Sequence, residues 1–469
     1  MTYDLVIVGI GSGGLSAAEF AAGLGLRVAV VAPDRRGRES AAIPSATLLA
    51  SAKVAHTMRS AHRVGIASVE PTIDLARVWR RARAVHAEIA ATDATPQRYR
   101  DLGVELIGGD ALVTGPNEVT LHTAGQQPHT LATRYILLCT GAKPAIPAID
   151  GLDPQHCLTG EDLFELEGPP ASMAIIGGGN VGVEAAQALR RLGIAVTVFE
   201  RARTLLPSEE PTLVARLTEL LVDEGVVVHC TADVRSLRHR SDGTSDVLAV
   251  VGDDAREVRI QVGGVLLAAG KRANTGGLGL ADIGVSTDEH GVSVDHRGRT
   301  SVRTVYAAGD VTGRSRGSSS GYDAVRAVRD MFFPGKGNLD APVPSCVFTD
   351  PELARVGLTI EQAEEQYGTD TDVWHFDLTH SERGRADARV EGVVVVITAK
   401  GRVVGGHVLA PAAGEMIHEL SLAIHRELRL DELAETQHVY PTYAGAIGQL
   451  AAEAAYEKAQ RLRWLMKRR

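Results

Sequence analysis

Two stretches of the chain repeat one pattern of apolar and polar positions. Leu5-Val6-Ile7-Val8 is a short unbroken apolar run, the signature of a parallel strand buried on both faces. It enters Gly9-Ile10-Gly11-Ser12-Gly13-Gly14 and then a helix-period pattern over residues 15–24, with a second strand expected over 27–31. The same order returns later. Ala174-Ile175-Ile176 leads into Gly177-Gly178-Gly179-Asn180-Val181-Gly182, a helix to about residue 192 and a strand over 195–199 that ends at Glu200. Two more strands are expected, one in 135–147, turning at Thr140-Gly141, and one in 304–313, ending at Gly309-Asp310. Apolar strands alternating with helices predict an α/β fold with two Rossmann-like dinucleotide-binding domains.

The loops carry the chemistry. In the first, Gly9 permits the turn, Gly11 lets backbone approach a pyrophosphate, and Gly14 lets helix and strand pack closely. Ser12 and Gly13 lie within the loop, and the helix N-terminus that follows supplies amide donors and a positive dipole to the phosphates. Gly177, Gly179, Asn180, Val181 and Gly182 are the matching positions of the second loop. An acid at the end of the following strand accepts hydrogen bonds from the ribose. Glu200 lies 200 − 177 = 23 positions after Gly177, against roughly 20 expected. A carboxylate there repels a 2′-phosphate, so NADH is favoured. Arg201 and Arg203 are able to bind that phosphate instead, or to pair with Glu200 on the surface. In the first unit the corresponding position is Ala32, and Asp34 is either a substitute acid or a turn residue.

Composition narrows the class. A chain of 469 residues allows two to four domains. No run of about 18 apolar residues exists to span a bilayer, and the first residues enter a strand without the layout of a leader. A cytoplasmic location without membrane insertion is expected. A net charge of −9 argues against nucleic acid as a partner. Cys139, Cys157, Cys230 and Cys346 are too far apart for a CxxC or CxxxxC pair, which fits a reducing compartment. Cys139 and Cys346 read as buried small hydrophobes. The histidines show no ligand spacing, so no metal is expected.

Together these motifs resemble the FAD-dependent pyridine nucleotide-disulfide oxidoreductases of class I, the group of dihydrolipoamide dehydrogenase and mercuric reductase. Gly9 to Gly14, Thr140-Gly141 and Gly309-Asp310 are similar to that family's FAD motifs, and the resemblance adds Ala111 and Gly270 to the cofactor positions. It implies that Asp310 binds the ribityl-phosphate region. The stretch from Ala269 to Asn274 resembles the segment beside the NAD domain, and Val347-Phe348-Thr349-Asp350-Pro351-Glu352 the start of the dimerisation domain. Gly405-Gly406-His407 and His418-Glu419 resemble that domain's later strand and helix. The implied order is FAD domain over 1–150, NAD(P) domain over 151–272, FAD domain again over 273–338, and an α+β interface domain over 339–469. A homodimer is implied, because the family's C-terminal segment completes the partner's active site.

At two places the resemblance fails. The family's redox pair, C-x-x-x-x-C before a helix, falls on Gly37 and Ala42, and its flavin-side lysine falls on Ala46. Glu184, the usual partner of that lysine, is retained, and Pro44 still suits a helix start. The family's H-P-T-x-x-E element falls on Tyr440 to Gly445, with Tyr440 at the histidine position. His438, two residues earlier, reads as a solvent-facing interface histidine, with a place near that site as the alternative. Tyr440 either hydrogen-bonds an acceptor oxygen or packs at the interface. The expected activity is that of an FAD-dependent NAD(P)H oxidoreductase of the diaphorase or quinone-reductase type. Hydride passes from NADH to FAD and on to a non-disulfide, quinone-like small molecule. Two other readings remain: a redox-sensing or scaffolding flavoprotein, and a pathway-specific flavin oxidoreductase with Tyr440 as proton donor.

Overall fold

The computed structural model describes residues 2–33, 42–93, 96–123, 125–313, 319–335 and 342–461. The chain divides into two compact units. The first comprises Met1–Ile43, Arg83–Ala145 and Gly270–Asp340; the second comprises Pro44–Ala82, Ile146–Ala269 and Ala341–Arg469.

In the first unit, strand Thr2–Val8 pairs in parallel with Val28–Ala32, which pairs in parallel with Glu105–Gly108. On its other side lies His129–Leu138, also parallel. The first half of that long strand pairs antiparallel with Glu118–His122, and its second half pairs parallel with Val305–Ala307. Burial follows the pairing. Leu131 and Thr133 are buried between exposed neighbours, the alternation of a sheet solvated on one face, whereas Ile136, Leu137 and Leu138 are all buried. The period of two divides the core between the faces. Leu5, Ile7, Val28, Val30 and Leu137 pack with Ala17, Ala18 and Ala21 of helix Ser12–Gly23 and with Ala324, Ala327 and Val328 of helix Ser320–Phe332. Val6, Val8, Ala29, Val31, Ile136 and Leu138 fill the other face with Leu278, Leu280 and Val285. The first glycine-loop helix begins at Ser12, three residues before the apolar pattern does, because glycines inside the loop already carry helical geometry.

In the second unit a parallel sheet runs in the order Val227–His229, Ala195–Phe199, Ser172–Ile176, Gly264–Leu267, Leu158–Thr159. Helix Asn180–Arg191 joins Ser172–Ile176 to Ala195–Phe199, as a parallel crossover requires. An antiparallel meander, Ala232–His239, Ser245–Val251 and Arg256–Val262, follows. A second five-stranded sheet is antiparallel: Ser345–Val347, Glu352–Gly357, Arg402–Ala410, Val393–Ala399 and Thr371–Asp377. Helices Ala413–His425 and Gly445–Arg461 close its core through Met416, Ile417, Leu420, Ile447 and Leu450.

Candidate cofactor sites and acceptor-side residues

The two glycine loops have one geometry. A Cβ on Gly14 would lie 2.1 Å from the carbonyl oxygen of Gly9, and one on Gly182 would lie 2.0 Å from that of Gly177. Gly9 and Gly177 have φ of 114° and 112°. A Cβ on either would meet the carbonyl of the neighbouring strand's end, Cys139 at 2.2 Å and Ala268 at 2.3 Å. Only glycine fits these positions. Gly11 and Gly179 differ: nothing lies within 4 Å of a Cβ there. Each is the residue before its helix, and neither helix has a side-chain cap. The amides of Ser12, Gly13 and Gly14, and those of Asn180, Val181 and Gly182, are therefore offered to an anion. Gly13 also packs on Ser320, with its Cβ position 3.1 Å from that residue's carbonyl oxygen. Val181 is exposed.

Asp310 gives the test of fit for FAD. Its Oδ2 pairs with Lys271 Nζ at 3.1 Å, while its Oδ1 is buried with no hydrogen-bond partner. A buried carboxylate oxygen with no donor suits a hydroxyl brought by a ligand. Gly309 before it has φ of 81°. Thr140-Gly141 is locked to the segment expected beside the NAD domain: Thr140 Oγ1 donates to Asn274 O at 2.7 Å, Asn274 Nδ2 donates to Thr140 O at 3.0 Å, and Asn274 N donates to Gly141 O at 2.9 Å. Gly270 has φ of 100°, and its carbonyl accepts from Ala145 N at 2.9 Å. Ala111 lies half-buried in strand Asp110–Gly115, opposite Leu121. Asp34 and Gly37 lie outside the described residues.

At the second loop, Glu200 is held by backbone. Gly178 N donates to Oε2 and Ala202 N to Oε1, each at 2.6 Å. The carboxylate is thus fixed at the strand end by amides rather than by the exposed Arg201 and Arg203. Helix Asn180–Arg191 also carries Glu184, whose Oε1 accepts from Phe348 N at 2.9 Å. Burial pushes the Glu184 carboxyl up to about 7, against the lowering effect of that amide.

Helix Ala42–Ser60 begins at Ala42, with Pro44 in its first turn. All four cysteines are free, and burial raises each thiol: Cys139 to about 12, Cys157 to about 11, and Cys230 and Cys346 likewise upward. None is set up as a reactive thiolate. Among the described residues no group of acids, histidines or cysteines could hold a metal, and no helix is long and apolar enough to cross a membrane.

Tyr440 is 76% exposed, and Gly445 opens helix Gly445–Arg461. His438 does not face solvent as expected. Its Nε2 lies 3.0 and 3.1 Å from the carboxylate oxygens of Glu419, and its Nδ1 lies 3.2 Å from Thr436 O. The expectation failed because Glu419 comes from a separate helix, Ala413–His425. Lys271 as the partner of Asp310 was missed too. The signal available was its place in the Ala269 to Asn274 segment.

Comparison with known proteins places this geometry. Residues 3–329 match the family described as pyridine nucleotide-disulphide oxidoreductase, and residues 343–451 match its dimerisation domain. The chain is 34% identical over 466 residues to a mercuric reductase of Streptomyces lividans, covering 96% of each protein. It is 32% identical over 474 residues to a dihydrolipoyl dehydrogenase of Thermus scotoductus, covering 98% of each. LpdA (Rv3303c) from Mycobacterium tuberculosis has a similar solved structure, with a TM-score of 0.84 at 27% identity, covering 96% of this chain and 99% of that one. The Cu(II) complex of the HOCl-induced flavoprotein disulfide reductase RclA from Escherichia coli gives 0.81 at 25% identity, covering 97% and 99%.

Proposed function

Because the chain belongs to the pyridine nucleotide-disulphide oxidoreductase family, whose members are FAD-dependent NAD(P)H oxidoreductases with a dimerisation domain, we propose that it is a homodimeric, NADH-preferring flavoprotein that delivers electrons to a non-disulfide, quinone-like acceptor. The observation that carries this reading is the start of helix Ala42–Ser60. Alanine stands where the family's helix-opening cysteine would be, and no cysteine precedes Cys139. Four thiols raised by burial are poor substitutes for a thiolate relay.

When bound, FAD supplies the redox chemistry, accepting hydride from the nicotinamide and releasing electrons to the acceptor. The residues of the chain bind and orient. The amides after Gly11 hold the FAD pyrophosphate, and Asp310 Oδ1 takes a ribityl hydroxyl. The amides after Gly179 hold the NADH pyrophosphate, and Glu200 takes the ribose hydroxyls and repels a 2′-phosphate. Residues 1–150 and 273–338 make up the FAD part of this reading, 151–272 the nicotinamide part and 339–469 the interface. Glu184, freed of the family's lysine by Ala46, is a carboxyl that changes protonation near neutrality. Tyr440 donates a hydrogen bond to the acceptor's carbonyl oxygen.

Anaerobic titration of the flavin-loaded protein tests the reading. Uptake of one electron pair per flavin is expected, with turnover of NADH on menadione and none on lipoamide, glutathione disulfide or mercuric ion. Uptake of two pairs, or turnover on a disulfide, overturns it.

A further inference from the structure

We infer that His438, braced by Glu419 and seated on Gly448, is a positioning residue that fixes the direction of Tyr440 and so of the hydrogen bond to the acceptor's carbonyl oxygen. What Tyr440 does rests on the acceptor reading above. Where His438 sits rests on geometry alone.

The imidazole is held on three sides. Both carboxylate oxygens of Glu419, on helix Ala413–His425, lie at 3.0 and 3.1 Å from Nε2, and Thr436 O lies 3.2 Å from Nδ1. The third side is Gly448, inside helix Gly445–Arg461, where a Cβ would lie 2.6 Å from Nδ1 and 3.0 Å from Cε1. The backbone there needs no positive φ. Glycine in a helix interior costs about 1 kcal/mol relative to alanine, and here it makes room for the ring. The histidine side chain is 14% exposed.

Two residues on, Tyr440 is 76% exposed, so little of its ring packs within its own chain. The loop is pinned on both flanks instead. His438 holds the near side. On the far side Thr442 Oγ1 donates to Val439 O at 2.7 Å and accepts from Gly445 N at 3.2 Å. His438 and Tyr440 line the same cavity, of about 280 Å³, with Thr442 and Gln449. An acceptor carbonyl at the partner's flavin, the site that the family's C-terminal segment completes, meets the phenol in the direction the pinned loop sets. Such an alignment governs acceptor reduction through geometry, not through proton exchange at the imidazole.

The test uses the full-length, flavin-loaded protein with His438→Ala and Gly448→Ala, each alone and combined with Tyr440→Phe. Flavin reduction by NADH and reoxidation by menadione are read separately, together with the melting temperature. Each single variant should slow reoxidation roughly tenfold or more. Gly448→Ala should do so with a lowered melting temperature, because a Cβ 2.6 Å from Nδ1 displaces the clamped ring, and the helix gain of about 1 kcal/mol offsets only part of that cost. Neither should slow a Tyr440→Phe protein further. Single variants that reoxidise like wild type, or losses that multiply with that of Tyr440→Phe, overturn the inference. If Tyr440→Phe alone behaves as wild type, the role of Tyr440 in the acceptor reading is what fails, and a loss in His438→Ala beside it contradicts positioning through Tyr440.

Discussion

Gln187 and Asp350 exchange hydrogen bonds as paired strand residues do. Asp350 N donates to Gln187 Oε1 at 2.7 Å, and Gln187 Nε2 donates to Asp350 O at 3.0 Å. The pair belongs to a polar stripe on one face of helix Asn180–Arg191. Glu184 takes the amide of Phe348, and Arg191 donates to Asp350 O at 2.9 Å and to Oδ2 at 2.8 Å. The amides of Phe348 and Asp350 and the carbonyl of Asp350 are thus met by side chains of that helix.

Gln187 is fully buried, so its removal exposes the arrangement. Gln187→Leu keeps the volume but leaves the Asp350 amide without its acceptor, while the carbonyl keeps Arg191. The expected loss is about 1–3 kcal/mol of stability. Urea unfolding of the flavin-loaded protein measures it, and a midpoint equal to wild type would refute it.

Two buried groups set opposite limits on pH. The folded-state value of Glu184 is raised to about 7 from 4.5. The folded state therefore holds a proton that the unfolded chain has lost, and stability present below 4.5 drains away as pH rises through 7. The difference amounts to about 3 kcal/mol at most. Glu184→Gln should remove this slope, so that the variant gains on wild type between pH 5 and pH 8 in urea midpoints; parallel curves would rule it out. His407 acts at the other end. It is 1% exposed, its Nε2 lies 2.8 Å from Leu358 O, and burial holds its value down at about 4 against 6.5. Stability is complete above 6.5 and is lost as pH falls through 4, again by about 3 kcal/mol. His407→Gln should flatten that acid limb whatever it does to stability at pH 7.

Glu200 is held at both oxygens by the amides of Gly178 and Ala202. A carboxylate so fixed cannot swing away from a 2′-phosphate. Glu200→Ala should lower kcat/KM for NADH about tenfold or more, the scale of a lost charged hydrogen bond. It should lower that for NADPH less, or raise it, because the repulsion goes too. An unchanged ratio of the two constants would count against Glu200 as the discriminating residue.

The shape of the two glycine loops was legible in the chain because its demands are short-range. The atom that forbids a side chain on Gly14 belongs to Gly9, and the one that forbids it on Gly182 belongs to Gly177. Ala42 and Ala46 were equally legible, since an absent thiol or ammonium is a property of the residue itself. Partnerships were not. Glu419 meets His438 from another helix, Lys271 meets Asp310 across 39 positions, and Gln187 meets Asp350 across 163. Local pattern determines which backbone shape each segment takes. Which polar groups are buried together, and so which carboxyl rises to about 7 and which histidine is clamped, is decided only when packing removes water from between residues that no local rule connects.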